Sequence, residues 1–186
     1  QLFGAVPDNL DDYTFASQVS QAEAKKFFIE NVRTQKPVKS GILWWNLLDG
    51  WPQMSDAVVD WYFEKKLAYD YIKRSQAPFC VMFGAMENWH LPVIAVNDTL
   101  KPLSGEVRVC DEGGKPLFER RFNLPADGCS VLERIPAMYS DRALFLIEWR
   151  IENGRGTNHF VTGAPPFSLN QYKNWYGKIT AFSKEQ

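Results

Sequence analysis

The chain has 186 residues, a formal net charge of −1, 45% apolar residues and 23% charged ones. That length supports one or two domains with a proper core. The near-zero charge argues against nucleic acid as a partner, and no apolar run approaches the ~20 residues that span a bilayer. The three cysteines (Cys80, Cys110, Cys129) sit in strand-like contexts and read as small buried apolar residues. They lean towards a reducing interior and leave the compartment open between a bacterial-type cytoplasm and periplasm. His90 and His159 are far apart, so no metal-ligand spacing appears, and no glycine-rich loop precedes a helix. Neither a metal nor a cofactor is expected. The start, Gln1-Leu2-Phe3-Gly4, has no initiator methionine or signal pattern and reads as a cut inside a longer chain.

Residues 1–12 are loop-like. From Thr14 to Arg33 the pattern is helical: Phe15, Val19, Ala22 and Ile29 form a stripe widened by Phe28 and Val32. Gln18, Glu23, Lys25, Lys26 and Glu30 are assigned to water. Asp11 or Asp12 is the expected cap, and Pro37 ends the helix. Residues 41–48 are a nearly continuous apolar run, closed by Gly50 and Pro52, that reads as a strand buried on both faces. A second helix is expected over 64–75, packing through Leu67, Ala68, Tyr71 and Ile72, with Lys73 and Arg74 at its negative end.

After Pro78 the period changes to two. Strands are expected at 79–85, 92–97, 105–110, 117–124, 130–135, 143–151 and 157–162, with turn residues between them. The clearest is 143–151, where Ala143, Phe145, Ile147, Trp149 and Ile151 share one face and Glu148, Arg150 and Glu152 the other. Seven such strands imply an immunoglobulin-like sandwich, without the Cys-Trp-Cys arrangement of antibody domains. The segment 164–182 is read as an aromatic tail laid back on the fold, with a short strand or helix at 172–180. The expected fold class is therefore mainly β: an α/β fragment over 1–78, then a β-sandwich over 79–186.

The stretch Gly41-Ile42-Leu43-Trp44-Trp45-Asn46-Leu47-Leu48-Asp49-Gly50-Trp51-Pro52 resembles the eighth barrel strand of glycoside hydrolase family 2. That family includes β-mannosidases, β-galactosidases and β-glucuronidases, and Val59-Asp60-Trp61-Tyr62 points to the β-mannosidase-like branch. Residues 93–109, Asn158-His159-Phe160, Pro165-Pro166-Phe167 and Tyr172-Lys173-x-Trp175 are similar to the family's immunoglobulin-like domain. The resemblance implies that 1–78 is the last helix–strand–helix of a (β/α)8 catalytic barrel.

It also implies a retaining exo-glycosidase acting on terminal β-linked sugars, whose two carboxyl groups stand ~5–5.5 Å apart. In the family both are glutamates at the ends of earlier strands, upstream of Gln1. Glu23 and Glu30 lie on one helix and Glu64 opens another, so no catalytic residue is carried over and the chain alone is expected to be inactive. The expected substrate-binding residues are Trp45, Asp49 and Trp51. Trp45 matches the family's apolar platform under the sugar. Asp49 either binds a sugar hydroxyl or holds its loop, and Trp51 either faces substrate or packs on a neighbouring domain. Trp44, on the opposite face, is expected under the helices. Partners implied are a β-linked glycoside, the rest of the barrel, and a second copy through apolar faces left wet. The alternative is a non-catalytic sandwich that binds carbohydrate or another domain; its strands carry Phe145 and Trp149 and its tail Trp175 and Tyr176, but alternation puts Phe145 and Trp149 on the core face.

Overall fold

A computed structural model describes residues 2–152 and 154–184. Among these the chain forms α1 (Leu10–Arg33), α2 (Leu67–Ser75), β1 (Phe79–Phe83), β2 (His90–Asn97), β3 (Leu103–Asp111), β4 (Pro116–Leu124), β5 (Cys129–Pro136), β6 (Ala143–Ile151), β7 (Gly154–Thr162) and α3 (Leu169–Lys184). The fold is mainly β. It divides into two compact units, Ala5–Gln76 and the remainder.

In the first unit α1 begins at Leu10, earlier than its apolar stripe suggests, because Asn9 is the cap. The Asn9 side chain accepts the Asp12 N–H at 2.9 Å, while Asp11 and Asp12 lie in the first turn, where the helix dipole favours them. Lys26 and Glu30 do not face water: they are 3% and 4% exposed. Lys26 Nζ donates to Glu30 Oε2 at 2.7 Å, and the Ser75 hydroxyl of α2 donates to Glu30 Oε1 at 3.3 Å. A charge with such partners can be buried, and periodicity, which reads residue type alone, assigns it outward. Phe28 is the converse. It leaves the packing stripe and lies exposed, edge-on to Phe27 at 5.7 Å.

The run 41–48 is not a strand, and only one of its faces is covered. It is irregular and bends at Trp45 and Leu47, with Ile42 and Trp44 half-buried against Ala22, Ile29, Val58, Ala68, Tyr71 and Ile72. Leu43, Trp45 and Leu47 point the other way and are exposed. A strand needs a ladder on its edges. Here the pairing is confined to a parallel bridge between Leu48 and Val59 at the end of the run. The following helix starts at Leu67 rather than Glu64, because 58–66 folds into a small hairpin instead. Val59 bridges Lys65, and Asp60 Oδ1 accepts the N–H groups of Tyr62 and Glu64 at 2.9 Å each.

The second unit is a sandwich of two antiparallel sheets, ordered β1-β2-β5 and β4-β3-β6-β7. Connections β2–β3, β4–β5 and β5–β6 change sheet, as in immunoglobulin-like folds. Phe145, Ile147 and Trp149 enter the core as their alternation requires. Between the sheets Phe79 stacks on Phe122 at 5.2 Å and meets Trp149 edge-on at 5.9 Å. β7 extends back to Gly154, although glycine reads as turn. At Gly156 a Cβ would lie 2.4 Å from the Trp149 ring, so only glycine lets that strand pass the indole. His90 opens β2, two residues before the expected start of that strand at 92.

The C-terminal segment is a full helix, α3, packed on β6 and β7. Leu144 and Leu146, which alternate away from the inter-sheet core, are buried all the same. Tyr172, Trp175 and Ile179 are the buried face of α3. Pro165-Pro166 reads as a break before a tail, but Phe167 bridges Phe3, and the Phe167 N–H donates to the Leu2 carbonyl at 2.9 Å, so the break is an anchored turn.

Candidate functional site

The three expected substrate-binding residues lie on the segment from 45 to 51, at the end of the apolar run. Trp45 is 76% exposed and Trp51 63% exposed, whereas Asp49 is 1% exposed. Trp45 stands on the open face between Leu43 and Leu47. Trp51, Met54 and Phe63, further along the same stretch of chain, are exposed as well. The Trp45–Asn46 peptide bond is cis.

Asp49 is the hub that holds this segment. Its Oδ1 accepts from the Ser55 hydroxyl, in a short contact, and from Gln53 Nε2 at 3.2 Å, while Oδ2 accepts from Lys66 Nζ at 3.1 Å. Its N–H donates to the Val59 carbonyl at 3.1 Å, and the Val59 N–H returns a bond to the Leu47 carbonyl at 2.9 Å. One buried carboxylate thereby ties 47–49 to 53–55, 59 and 66. The pair Lys65-Lys66 reads in sequence as a short solvated run, yet Lys66 is the partner that makes this burial tolerable.

The hydrogen bond from Ser55 holds the Asp49 carboxyl below its ordinary value; burial opposes this, and Lys66 and Gln53 reinforce it. A carboxyl depressed by folding contributes stability that is fully present above the unfolded carboxylate pKa, about 3.9. That stability fades as pH falls through the lower folded value. Asp49→Asn should therefore destabilise the protein at neutral pH and show a shrinking deficit as the pH is lowered below about 4, measured as urea midpoints across the series. A deficit that stayed constant with pH would show that the charge of Asp49 is not what holds the loop.

A polar stripe on α1, spaced i, i+3, i+7, also fixes the segment, and periodicity alone reads it as solvated. Gln18 Oε1 accepts the Leu67 N–H at 3.0 Å, at the start of α2. Gln21 Nε2 donates to the carbonyls of Asp56 at 2.6 Å and Ala57 at 3.3 Å. Lys25 Nζ donates to the Trp45 carbonyl at 3.0 Å and lies 4.6 Å from the centre of the Trp44 ring. Burial lowers the Lys25 pKa, with Asp56 acting in the opposite direction. The one signal of this in the sequence is that these polar residues share a helical face.

Among the described residues no group of three or more His, Cys, Asp or Glu could hold a metal ion, and no helix is long and apolar enough to cross a membrane. In the sandwich Phe145, Trp149 and Trp175 are core residues and offer no surface to a ligand. Trp89 and Tyr139 form an exposed edge-on pair at 5.6 Å that alternation does not reveal.

No family profile matches the chain. Among curated proteins it is 36% identical over 133 residues to a β-mannosidase B of Aspergillus niger, covering 68% of this chain and 16% of that protein. It is 33% identical over 90 residues to a β-mannosidase B of Thermothelomyces thermophilus, covering 46% of this chain and 10% of that one. Among solved structures, β-D-mannosidase from Dictyoglomus thermophilum superposes with a TM-score of 0.76 at 26% identity, over 87% of this chain and 21% of that one. An exo-chitosanase from Amycolatopsis orientalis shares the fold, with a TM-score of 0.68 at 18% identity over 89% of this chain and 21% of that one. The chain thus spans between a tenth and a sixth of the length of these curated relatives. By its motif at 41–52, its sandwich and these relatives together, the chain fits the C-terminal portion of a glycoside hydrolase family 2, β-mannosidase-like protein.

Proposed function

We propose that the chain is the C-terminal part of a retaining exo-glycosidase that hydrolyses terminal β-linked sugars, β-mannosides foremost. Residues 1–78 supply the last helix–strand–helix of a (β/α)8 barrel, and 79–186 an immunoglobulin-like accessory domain. The observation that carries this reading is the two-sidedness of 41–48: one face is sewn to α1 and α2, and the other, with Leu43, Trp45 and Leu47, is open. A barrel strand has this character, helices outside and barrel interior inside, and barrel active sites lie where the strand ends, here at Trp45 to Trp51.

In this reading Trp45 is the floor under the sugar, presenting a flat apolar face to its C–H groups. Asp49 holds the loop behind that floor rather than meeting the substrate, since Ser55, Gln53 and Lys66 already engage its oxygens. Trp51 lines the rim. The nucleophile and the acid/base are two glutamates on earlier strands, so the reaction needs the upstream barrel and no cofactor.

The test compares this chain with the polypeptide extended upstream, using aryl β-mannoside, β-glucoside and β-galactoside as substrates. The extended protein should release the aryl group and give a sugar product of retained configuration by proton NMR, and this chain should release none. Hydrolysis by this chain alone, or an inverted product, would overturn the proposal. A second reading, a carbohydrate-binding sandwich, is favoured only by the exposed Trp89–Tyr139 pair. Its test is a calorimetric titration of the chain with β-mannooligosaccharides, where heat lost in Trp89→Ala would support it.

A further inference from the structure

We propose that Lys25 is the positioning residue for the Trp45 indole, acting through the peptide that carries it. The inference rests on Trp45 as the sugar platform, and deepens it. Lys25 reaches from α1 to two consecutive residues: its ammonium lies over the Trp44 ring, 4.6 Å from the ring centre, and donates to the Trp45 carbonyl at 3.0 Å. The first contact anchors the residue before the platform, and the second anchors the peptide after it. The direction of the Trp45 Cα–Cβ bond is thereby set from both sides.

The backbone around it has little else to hold it. Among the described residues no backbone–backbone hydrogen bond reaches 41–46; that pairing begins at the Leu47 carbonyl. An exposed indole on an irregular segment without a ladder would sample several orientations. Lys25 selects one of them. It is also the last tie of the stripe Gln18, Gln21 and Lys25, whose first two members fix the start of α2 and the carbonyls at 56 and 57. The same helix face thus sets the loop and the platform in a single register.

The chemistry requires a long, flexible cation at this position. A neutral side chain could donate to the carbonyl but would lose the attraction to the Trp44 face, and an apolar one would lose both. Arginine retains both the charge and a donor. This gives a graded set of substitutions with opposite expected outcomes at nearly constant volume.

The experiment uses Lys25→Met, which keeps the aliphatic stem, and Lys25→Arg, each alone and combined with Trp45→Ala. In the upstream-extended polypeptide, Lys25→Met should lower kcat/KM for an aryl β-mannoside roughly 10-fold, since a misplaced binding group costs rate out of proportion to its contacts. Lys25→Arg should recover most of it. In the Trp45→Ala background Lys25→Met should add less than about twofold, the signature of two residues acting as one. An equal loss in both backgrounds would mean a general packing effect and would overturn the proposal. In parallel, the Trp45 indole N–H signal of the present chain, assigned by its disappearance in Trp45→Phe, should move or broaden in Lys25→Met and return in Lys25→Arg. An indole signal indifferent to Lys25→Met would sink the positioning role whatever the kinetics show. Failure of Trp45→Ala itself to affect activity would instead remove the platform reading, and the indole signal would then decide alone whether Lys25 orients Trp45.

Discussion

Trp175→Ala is expected to remove a large share of the stability of the sandwich unit. Trp175 is 1% exposed and is the centre of the α3 docking site. It meets Phe167 edge-on at 6.0 Å and Tyr172 at 6.3 Å, and Tyr172 in turn meets Phe3 at 5.9 Å. Its indole N–H donates to Glu112 in the turn between β3 and β4, a carboxylate that Lys178 also approaches at 3.8 Å. The alanine would leave a cavity of indole size and remove the bond to Glu112, whose carboxylate keeps Lys178 and solvent. Truncations of this kind cost about 3–5 kcal/mol, against a total of about 5–15 kcal/mol for a typical domain. For a domain of this size that corresponds to a fall in Tm of roughly 15 °C, measured by calorimetry. Trp175→Phe should cost less, because one aromatic ring is retained and only part of the indole volume and the bond to Glu112 are lost. If the alanine variant melted within about 3 °C of the parent, the helix would be an accessory rather than part of the fold.

The second large effect is on activity. In the extended polypeptide, Trp45→Ala is expected to lower kcat/KM for an aryl β-mannoside by nearly two orders of magnitude. Covering about half of an indole, roughly 100 Å² of apolar surface, at ~25 cal/mol per Å² gives about 2.5 kcal/mol. That energy corresponds to about 70-fold. A platform under the whole sugar binds ground state and transition state alike, so most of the loss should appear in KM. Because Trp45 is 76% exposed, its removal takes little packing from this unit, and Tm should hold within about 2 °C. A change in kcat/KM of less than about threefold would remove Trp45 from the substrate site.

Legibility in the sequence differs from residue to residue. The alternation of Phe145, Ile147 and Trp149 locates the core face of β6 correctly, because a half-buried strand writes its geometry into residue type at every second position. The helical stripe of Val19, Ala22 and Ile29 does the same for α1. Trp45 and its neighbours at 41–52 are legible as a motif. Asp49 is legible as a candidate, but its partners are not: Ser55 and Gln53 are near in sequence, whereas Lys66 belongs to a run that reads as solvated.

The expectations that failed did so for one physical reason. Periodicity reports whether a side chain is apolar, and burial depends also on whether a polar one finds a partner. Lys26 and Glu30 go inside because each satisfies the other, and Phe28 stays outside because nothing among the described residues covers it. The run 41–48 is greasy enough for a strand buried on both sides, but a strand exists only through its neighbours' hydrogen bonds. The sequence by itself therefore determined the class of the fold, the alternation of the sandwich strands and the stripe of α1, all of which depend on local order of apolar and polar residues. Only the tertiary structure decided which charges are buried, that α3 is a docked helix rather than a tail, and that one face of 41–48 stays open, because each of these depends on groups distant in the chain meeting, or failing to meet, in space.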